Sequence, residues 1–107
     1  MQRFLIIETR DPVEHRDVER IAALAAGIEQ EGCNAALFLT ENAVIAARPG
    51  VAPFLETLAA QGVPIGVDRV ALAERGMSSK DMAPGMTVSG IETVVDALLA
   101  GARAIWR

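Results

Sequence analysis

The stretch Gly62–Gly76 constrains the fold of this chain more than any other. It reads Gly-Val-Pro-Ile-Gly-Val-Asp-Arg-Val-Ala-Leu-Ala-Glu-Arg-Gly. Val63, Ile65 and Val67 form a short β-branched run, which suits a pleated surface and predicts a buried strand. The run ends at Asp68 and the pattern then turns helical. Val70, Ala71, Ala73 and Glu74 continue it, and Gly76 closes it where a left-handed backbone is favoured. Asp68 therefore falls on a strand-to-helix junction. In open parallel sheets, ligands bind at the carboxyl ends of the strands, beside such junctions.

The flanking sequence repeats the same alternation. Arg3–Thr9 carries four consecutive apolar residues (Phe4–Ile7), the pattern of a strand buried on both faces. Asp11-Pro12-Val13-Glu14 predicts a helix start, with Asp11 as N-cap, Pro12 at the first helical position and Glu14 at the third; Asp17 is a second candidate start. Val18, Ile21, Leu24, Ala25 and Ile28 then share one helical face, and Gly32 stops the helix. Cys33–Thr40 is the second strand, followed by the polar break Glu41-Asn42. Ala43–Ala47 is too short for periodicity to separate a helical turn from a small extra strand. Arg48-Pro49-Gly50 is a turn. Ala52–Gln61 is the second main helix, with Pro53 tolerated in its first turn and Phe54, Leu55 and Leu58 facing inward.

After the Gly62–Gly76 unit, Met77–Gly85 is a loop in which Ser78 and Asp81 have capping-box spacing, closed by the turn Pro84-Gly85. Met86–Val88 is a short strand. Ser89-Gly90-Ile91-Glu92 has the same box spacing, and Ile91, Val94, Val95, Leu98 and Leu99 form the apolar face of the last helix, which Gly101 stops. Ala104–Trp106 is a terminal strand. Strands and helices alternate throughout with short connections. That order predicts one α/β domain over residues 1–107: a three-layer sandwich with a mostly parallel sheet of about five strands and right-handed crossovers.

Composition excludes several function classes. The net charge is −4 and the ten Lys and Arg are scattered, which argues against a nucleic-acid binder or an anionic membrane surface. The single cysteine, Cys33, permits neither an intramolecular disulfide nor a cysteine-ligated zinc site, and no metal or cofactor motif is present. No apolar run approaches a membrane span or a signal peptide, so a cytoplasmic protein is expected. The apolar content leans on Ala with only four aromatics, and a small core of this kind favours burial against a partner subunit.

At this point the chain resembles the DsrE/DsrF-like family, YchN-like and sulfur-relay Tus-subunit-like proteins among them. The resemblance rests on the apolar first strand with its Arg10-Asp11-Pro12 loop and Ala-rich helix, and on the strand Ala35–Leu39. It is most specific in Gly62-Val63-x-Ile65-x-Val67-Asp68-x-x-Ala71-Leu72-x-x-Arg75-Gly76, and continues in Gly85 and Ser89-Gly90-Ile91. It implies an α/β fold and a homo-oligomer, commonly a trimer or hexamer. The sulfur-carrying members have a cysteine where this chain has Asp68. The resemblance thus implies a fold and an assembly habit, and a possible sulfur-relay protein as partner, while the residue that carries sulfur is replaced.

Asp68 keeps a negative charge at the helix start but has no soft sulfur to hold a persulfide. Two readings stand for it: a helix N-cap, or a catalytic carboxylate. His15, the only histidine, follows the first strand and is the candidate proton-shuttling partner of Asp68; its alternative is a solvated loop residue. Glu8, Thr9, Glu41, Asn42, Asp68, Ser89 and Gly90 fall at strand ends on the expected binding edge, with capping and turn formation as their structural alternative. Arg75 is expected to pair with Glu74 or Asp81 or to be solvated, with a ligand or a neighbouring subunit as the functional alternative. Cys33 lies on the opposite, amino edge. Met77, Met82 and Met86 are gap-fillers or a pocket lining, and Trp106 is an interface anchor or peripheral core. Three functions compete. One is a family member without the carrier cysteine that serves as a binding, scaffold or regulatory subunit linked to sulfur relay. The second is a sulfurtransferase using Cys33, and the third a small enzyme or ligand-binding protein using Asp68 and His15.

Overall fold

The computed structural model describes residues 2–107. Five strands, β1 (Arg3–Glu8), β2 (Asn34–Leu39), β3 (Ile65–Asp68), β4 (Met86–Ser89) and β5 (Arg103–Trp106), form one sheet in the order β4-β3-β2-β1-β5. Every pairing is parallel. The helices are α1 (Arg20–Gln30), α2 (Pro53–Ala60), α3 (Arg69–Glu74) and α4 (Ile91–Leu99). The chain steps from β1 to β4 in one direction. It then crosses back through α4 to set β5 on the far side of β1.

The side-chain period of two divides the core between the two faces of the sheet. On one face Ile6, Leu37, Leu39, Ile65 and Val67 pack against Ile21 and Ala25 of α1, Leu55 and Leu58 of α2, and Ala71 and Leu72 of α3. On the other, Leu5, Ile7 and Phe38 meet Val94 of α4, with Ala36, Ala97 and Ala104 around them. This is the three-layer α/β sandwich read from the alternation, with a sheet that is parallel throughout. The layers are unequal: three helices cover one face and one covers the other. Each large side chain sealed in this core contributes roughly 1.5–3 kcal/mol over its exposed state.

Several local expectations are corrected. Asp11 does not start a helix: its Oδ1 accepts the Val13 N–H at 2.8 Å and closes a tight turn. Asp17 does not cap either, because its carboxylate is taken by Arg10 at 2.8 Å. A 3-10 segment, Arg16–Glu19, intervenes and α1 begins at Arg20. Ala43–Ala47 belongs to a 3-10 segment, Glu41–Ala47, whose Ala43, Val44, Ala46 and Ala47 are buried in the main core. The Ser78…Asp81 box forms as expected. The Ser89…Glu92 box does not. Gly90 is the N-cap of α4 with no side-chain cap, and Glu92 curls back against Gly90 and faces Arg69 at 3.6 Å. Of the apolar stripe on α4 only Val94 is buried; Ile91, Val95, Leu98 and Leu99 are exposed.

Candidate functional site

The carboxyl edge of the sheet gathers most of the residues singled out in the sequence. Asp68 ends β3 in an extended conformation and is the N-cap of α3. Its two oxygens have separate partners: Oδ1 accepts the Val70 N–H at 3.1 Å, and Oδ2 accepts the Thr40 hydroxyl at 2.6 Å. The cap is local chemistry that any Asp at this junction performs. The bond to Thr40 is tertiary and joins the ends of β2 and β3. A hydroxyl donating to a carboxylate is among the stronger hydrogen bonds. The capping reading of Asp68 therefore accounts for one oxygen only.

Thr40 also opens the 3-10 segment, and the residues after it are the site candidates Glu41 and Asn42. Asn42 Oδ1 accepts from Arg75 Nη2 at 2.7 Å, while Arg75 Nη1 donates to the Ala71 carbonyl at 2.9 Å. Arg75 faces Glu74 at 3.8 Å and does not reach Asp81, whose carboxylate is spent on the Ser78 N–H. Thus Thr40 is held by the N-cap of α3 and Asn42 by its C-cap. Between them Glu41 is exposed and has φ of 51°, the one non-glycine residue with positive φ among the described residues.

Ser89 pairs in register with Asp68 across β3 and β4. Its Oγ is buried without a hydrogen-bond partner and lies so close to Gly66 that a Cβ there would approach it to 2.7 Å. It neither caps α4 nor donates to Asp68. Gly90 is buried beneath the folded-back Glu92 side chain. An incoming anion at this helix start would meet a carboxylate already in place.

Glu8 and Thr9 serve a different purpose. Glu8 is fully buried. Its Oε2 accepts from Thr9 N at 3.0 Å, Arg10 N at 3.1 Å and Arg10 Nε at 3.3 Å. Its Oε1 faces Arg107 Nε at 3.2 Å without hydrogen-bond alignment. Thr9 Oγ1 donates to the Arg107 carbonyl at 2.9 Å, and Arg107 Nη2 to the Asp17 carbonyl at 3.2 Å. Asp17 completes the ring: bonded to Arg10, its carboxyl is held below the ordinary carboxylate range, and Asp17 in turn raises the Arg10 guanidinium. This cluster clamps the end of β5 to β1 and leaves Thr9 and Glu8 occupied. Nothing in the spacing announces the part of Arg107, because it meets Glu8, Thr9 and Asp17 only once β5 lies beside β1.

His15 and Asp68 are not joined by a hydrogen bond. His15 is exposed and follows β1, and β2 separates that strand from β3. Cys33 is partly buried at the amino edge, in a hollow lined by Phe4, Leu24, Gly27, Ile28 and Glu31, with no cation in the lining. Met77 is buried and Met82 and Met86 pack against the main core, while Trp106 is 64% exposed. No group of three or more His, Cys, Asp and Glu able to hold a metal ion occurs among the described residues, and none of their helices is long and apolar enough to cross a membrane.

Residues 16–106 match the model of the DsrE/DsrF-like family. No curated protein matches the chain. Among solved structures it is similar to the YchN protein of E. coli, with a TM-score of 0.89 at 25% identity over 100% of both chains. It is also similar to a protein of unknown function from Methanobacterium thermoautotrophicum, with a TM-score of 0.78 at 20% identity over 100% of both chains. A third, also of unknown function, comes from Bacteroides thetaiotaomicron, with a TM-score of 0.79 at 17% identity over 99% of this chain and 95% of that one. The last two likenesses speak for the fold alone.

Proposed function

We propose that this chain, which belongs to the DsrE/DsrF-like family, is a cytoplasmic member that does not carry sulfur itself. It serves as a binding, scaffold or regulatory subunit linked to sulfur relay or related metabolism. One observation carries the reading. At the β3–α3 junction, where the family resemblance places the carrier cysteine, Asp68 has both oxygens engaged, one by Val70 N and one by Thr40 Oγ1. A carboxylate cannot accept a sulfane sulfur, which needs a thiolate nucleophile.

The alternative thiol, Cys33, stands before β2 on the opposite edge, and the hollow around it offers no cation to stabilise a thiolate. The paired Asp68–His15 reading lacks the contact that general acid–base work needs. Assembly with further copies fits the uncovered side of the fold. Ile91, Val95, Leu98 and Leu99 are exposed on α4. Trp106 lies two positions after Ala104, which packs in the α4-side cluster, so Trp106 projects to that same side of the sheet. A trimer or hexamer is proposed on that surface.

Two measurements test the reading. After incubation with a low-molecular-weight persulfide donor and alkylation, intact-mass spectrometry is expected to give the protein without an added sulfur atom. Sedimentation equilibrium is expected to give a closed oligomer that Val95→Glu dissociates. A stable sulfur adduct on the native protein overturns the first part, and a monomer at tens of micromolar overturns the second.

A further inference from the structure

We infer that the hollow beside α4 takes a small, uncharged, mostly apolar ligand whose carbonyl oxygen accepts a hydrogen bond from the Ser89 hydroxyl. This gives the proposed binding role a place and a ligand class, and rests on that reading. The hollow follows from the unequal cover of the sheet. α4 sits over Leu5, Ile7 and Phe38 of β1 and β2. The same face of β3 and β4 lies beside the helix. Between them is a cavity of about 340 Å³. Leu5, Phe38, Val94 and Ala97 wall it, and Gly66 and Ser89 lie on its floor.

The floor is unusual for a strand. Gly66 stands inside β3, where glycine weakens the strand and offers nothing to pack. The backbone does not call for it. Its φ is not in the left-handed region, and the register of β3 with both neighbours runs through without a bulge. What calls for it is close approach. A Cβ at this position would stand 2.7 Å from Ser89 Oγ and 3.4 Å from Phe38 Cδ1. The glycine therefore makes room for a hydroxyl above the strand. That hydroxyl is buried and has no hydrogen-bond partner among the described residues. Asp68, its neighbour in register, has both oxygens engaged by Thr40 and Val70. An unmade hydrogen bond at a buried hydroxyl is costly, and native proteins pair nearly all of them.

An apolar cavity with one or two fixed polar groups is the make-up of a small-molecule site. None of the described residues lining this one is charged, so an ionic ligand would lose its hydration without a counter-charge. The hydroxyl has one proton to place, and a carbonyl oxygen takes it without bringing a second donor into the cavity. The hollow is also separate from the surface proposed for assembly. Ile91, Val95, Leu98 and Leu99 share one exposed stripe of α4, whereas Thr93 and Ala97, which line the hollow, lie off that stripe.

Three probes with the same ring test the inference through backbone amide shifts. Acetophenone has the carbonyl, ethylbenzene lacks it, and benzoate carries a charge. On the native protein, acetophenone is expected to shift residues 38, 66, 89 and 94, and benzoate to leave them in place. Ser89→Ala is expected to weaken acetophenone about fivefold, the worth of one ordinary hydrogen bond, and to leave ethylbenzene unchanged. Ala97→Leu narrows the cavity from the helix side and is expected to weaken both. Absence of acetophenone shifts at these residues in the native protein overturns the site, and this comparison needs no variant. Equal acetophenone affinity in native protein and Ser89→Ala overturns the role of the hydroxyl. Benzoate bound as tightly as acetophenone overturns the uncharged class. A changed sedimenting mass in Ala97→Leu, with no probe bound by the native protein, assigns the hollow to a second copy and overturns the small-molecule reading. The persulfide measurement reads sulfur carriage separately, so each reading can fail on its own.

Discussion

Substituting Glu8→Gln removes one charge from the buried clamp while keeping its volume. In the native protein Glu8 Oε2 accepts three N–H groups and Oε1 faces Arg107 Nε at 3.2 Å. The amide oxygen of Gln can take over the Oε2 position. Its NH2 then faces the Arg107 guanidinium, donor against donor, and both Arg10 and Arg107 lose their shared counter-charge. Breaking a buried ion pair from one side costs about 3–5 kcal/mol. Arg107 is 18% exposed at its side chain, so water recovers part of its charge and the low end, about 3 kcal/mol, is expected. Urea denaturation followed by circular dichroism at fixed protein concentration reads this directly. With an m-value of about 1.5 kcal/mol per molar, the midpoint falls by about 2 M with the slope unchanged. Because the clamp joins β5 to β1, Glu8→Gln and Arg107→Met are expected to be strongly non-additive. A loss below about 0.5 kcal/mol, the scale of an ordinary surface change, refutes the claim that Glu8 holds β5 in place.

Two further expectations follow from single contacts. Gly66→Ala places a Cβ 2.7 Å from Ser89 Oγ and 3.4 Å from Phe38 Cδ1, so it destabilises by about 1–3 kcal/mol, and Ser89→Gly in the same chain restores most of that loss; calorimetric melting of the three variants checks it. The Asp17 carboxyl, held down by its hydrogen bond from Arg10, is expected to titrate below the ordinary carboxylate range by side-chain NMR, and to return to that range in Arg10→Met. A depressed folded-state value means the pair's contribution is present above the unfolded pKa and is lost as pH falls through the folded one. The pairing therefore weakens only in acid below the ordinary Asp range.

The parts of the fold that local chemistry determines were legible in the chain. The β-branched run to Val67, the cap at Asp68 and the left-handed Gly76 (φ of 67°) are set by residues a few positions apart, and all appear where the pattern puts them. The Ser78…Asp81 box is equally local. The failures lie where a distant group competes for the same atoms. Asp17 has the chemistry of an N-cap but gives its carboxylate to Arg10. Glu92 has the spacing of a box but turns toward Arg69 from another element. The α4 stripe has helical periodicity, yet periodicity does not say whether the covering layer is the chain's own sheet or something beyond it.

The candidate site divides in the same way. Strand ends placed Asp68, Glu41 and Asn42 on one edge, and the turn gathers them through Thr40 and Arg75. Thr40 was readable only as the last residue of a strand, since its partner lies 28 positions along the chain. Glu8 and Thr9 occupy the same edge by sequence but are consumed by the Arg107 clamp.

The central proposal is that Asp68, at the β3–α3 junction, stands where a sulfur-carrying relative would have its cysteine. Peptide-mapped mass spectrometry after treatment with a persulfide donor tests it most directly, comparing the native protein with Asp68→Cys in a Cys33→Ala background. The native protein is expected to show no added sulfur at any peptide. The double variant is expected to gain one sulfur atom on the peptide containing position 68. A stable sulfur adduct at Cys33 of the native protein contradicts the account, as does an Asp68→Cys variant that folds and remains unreactive.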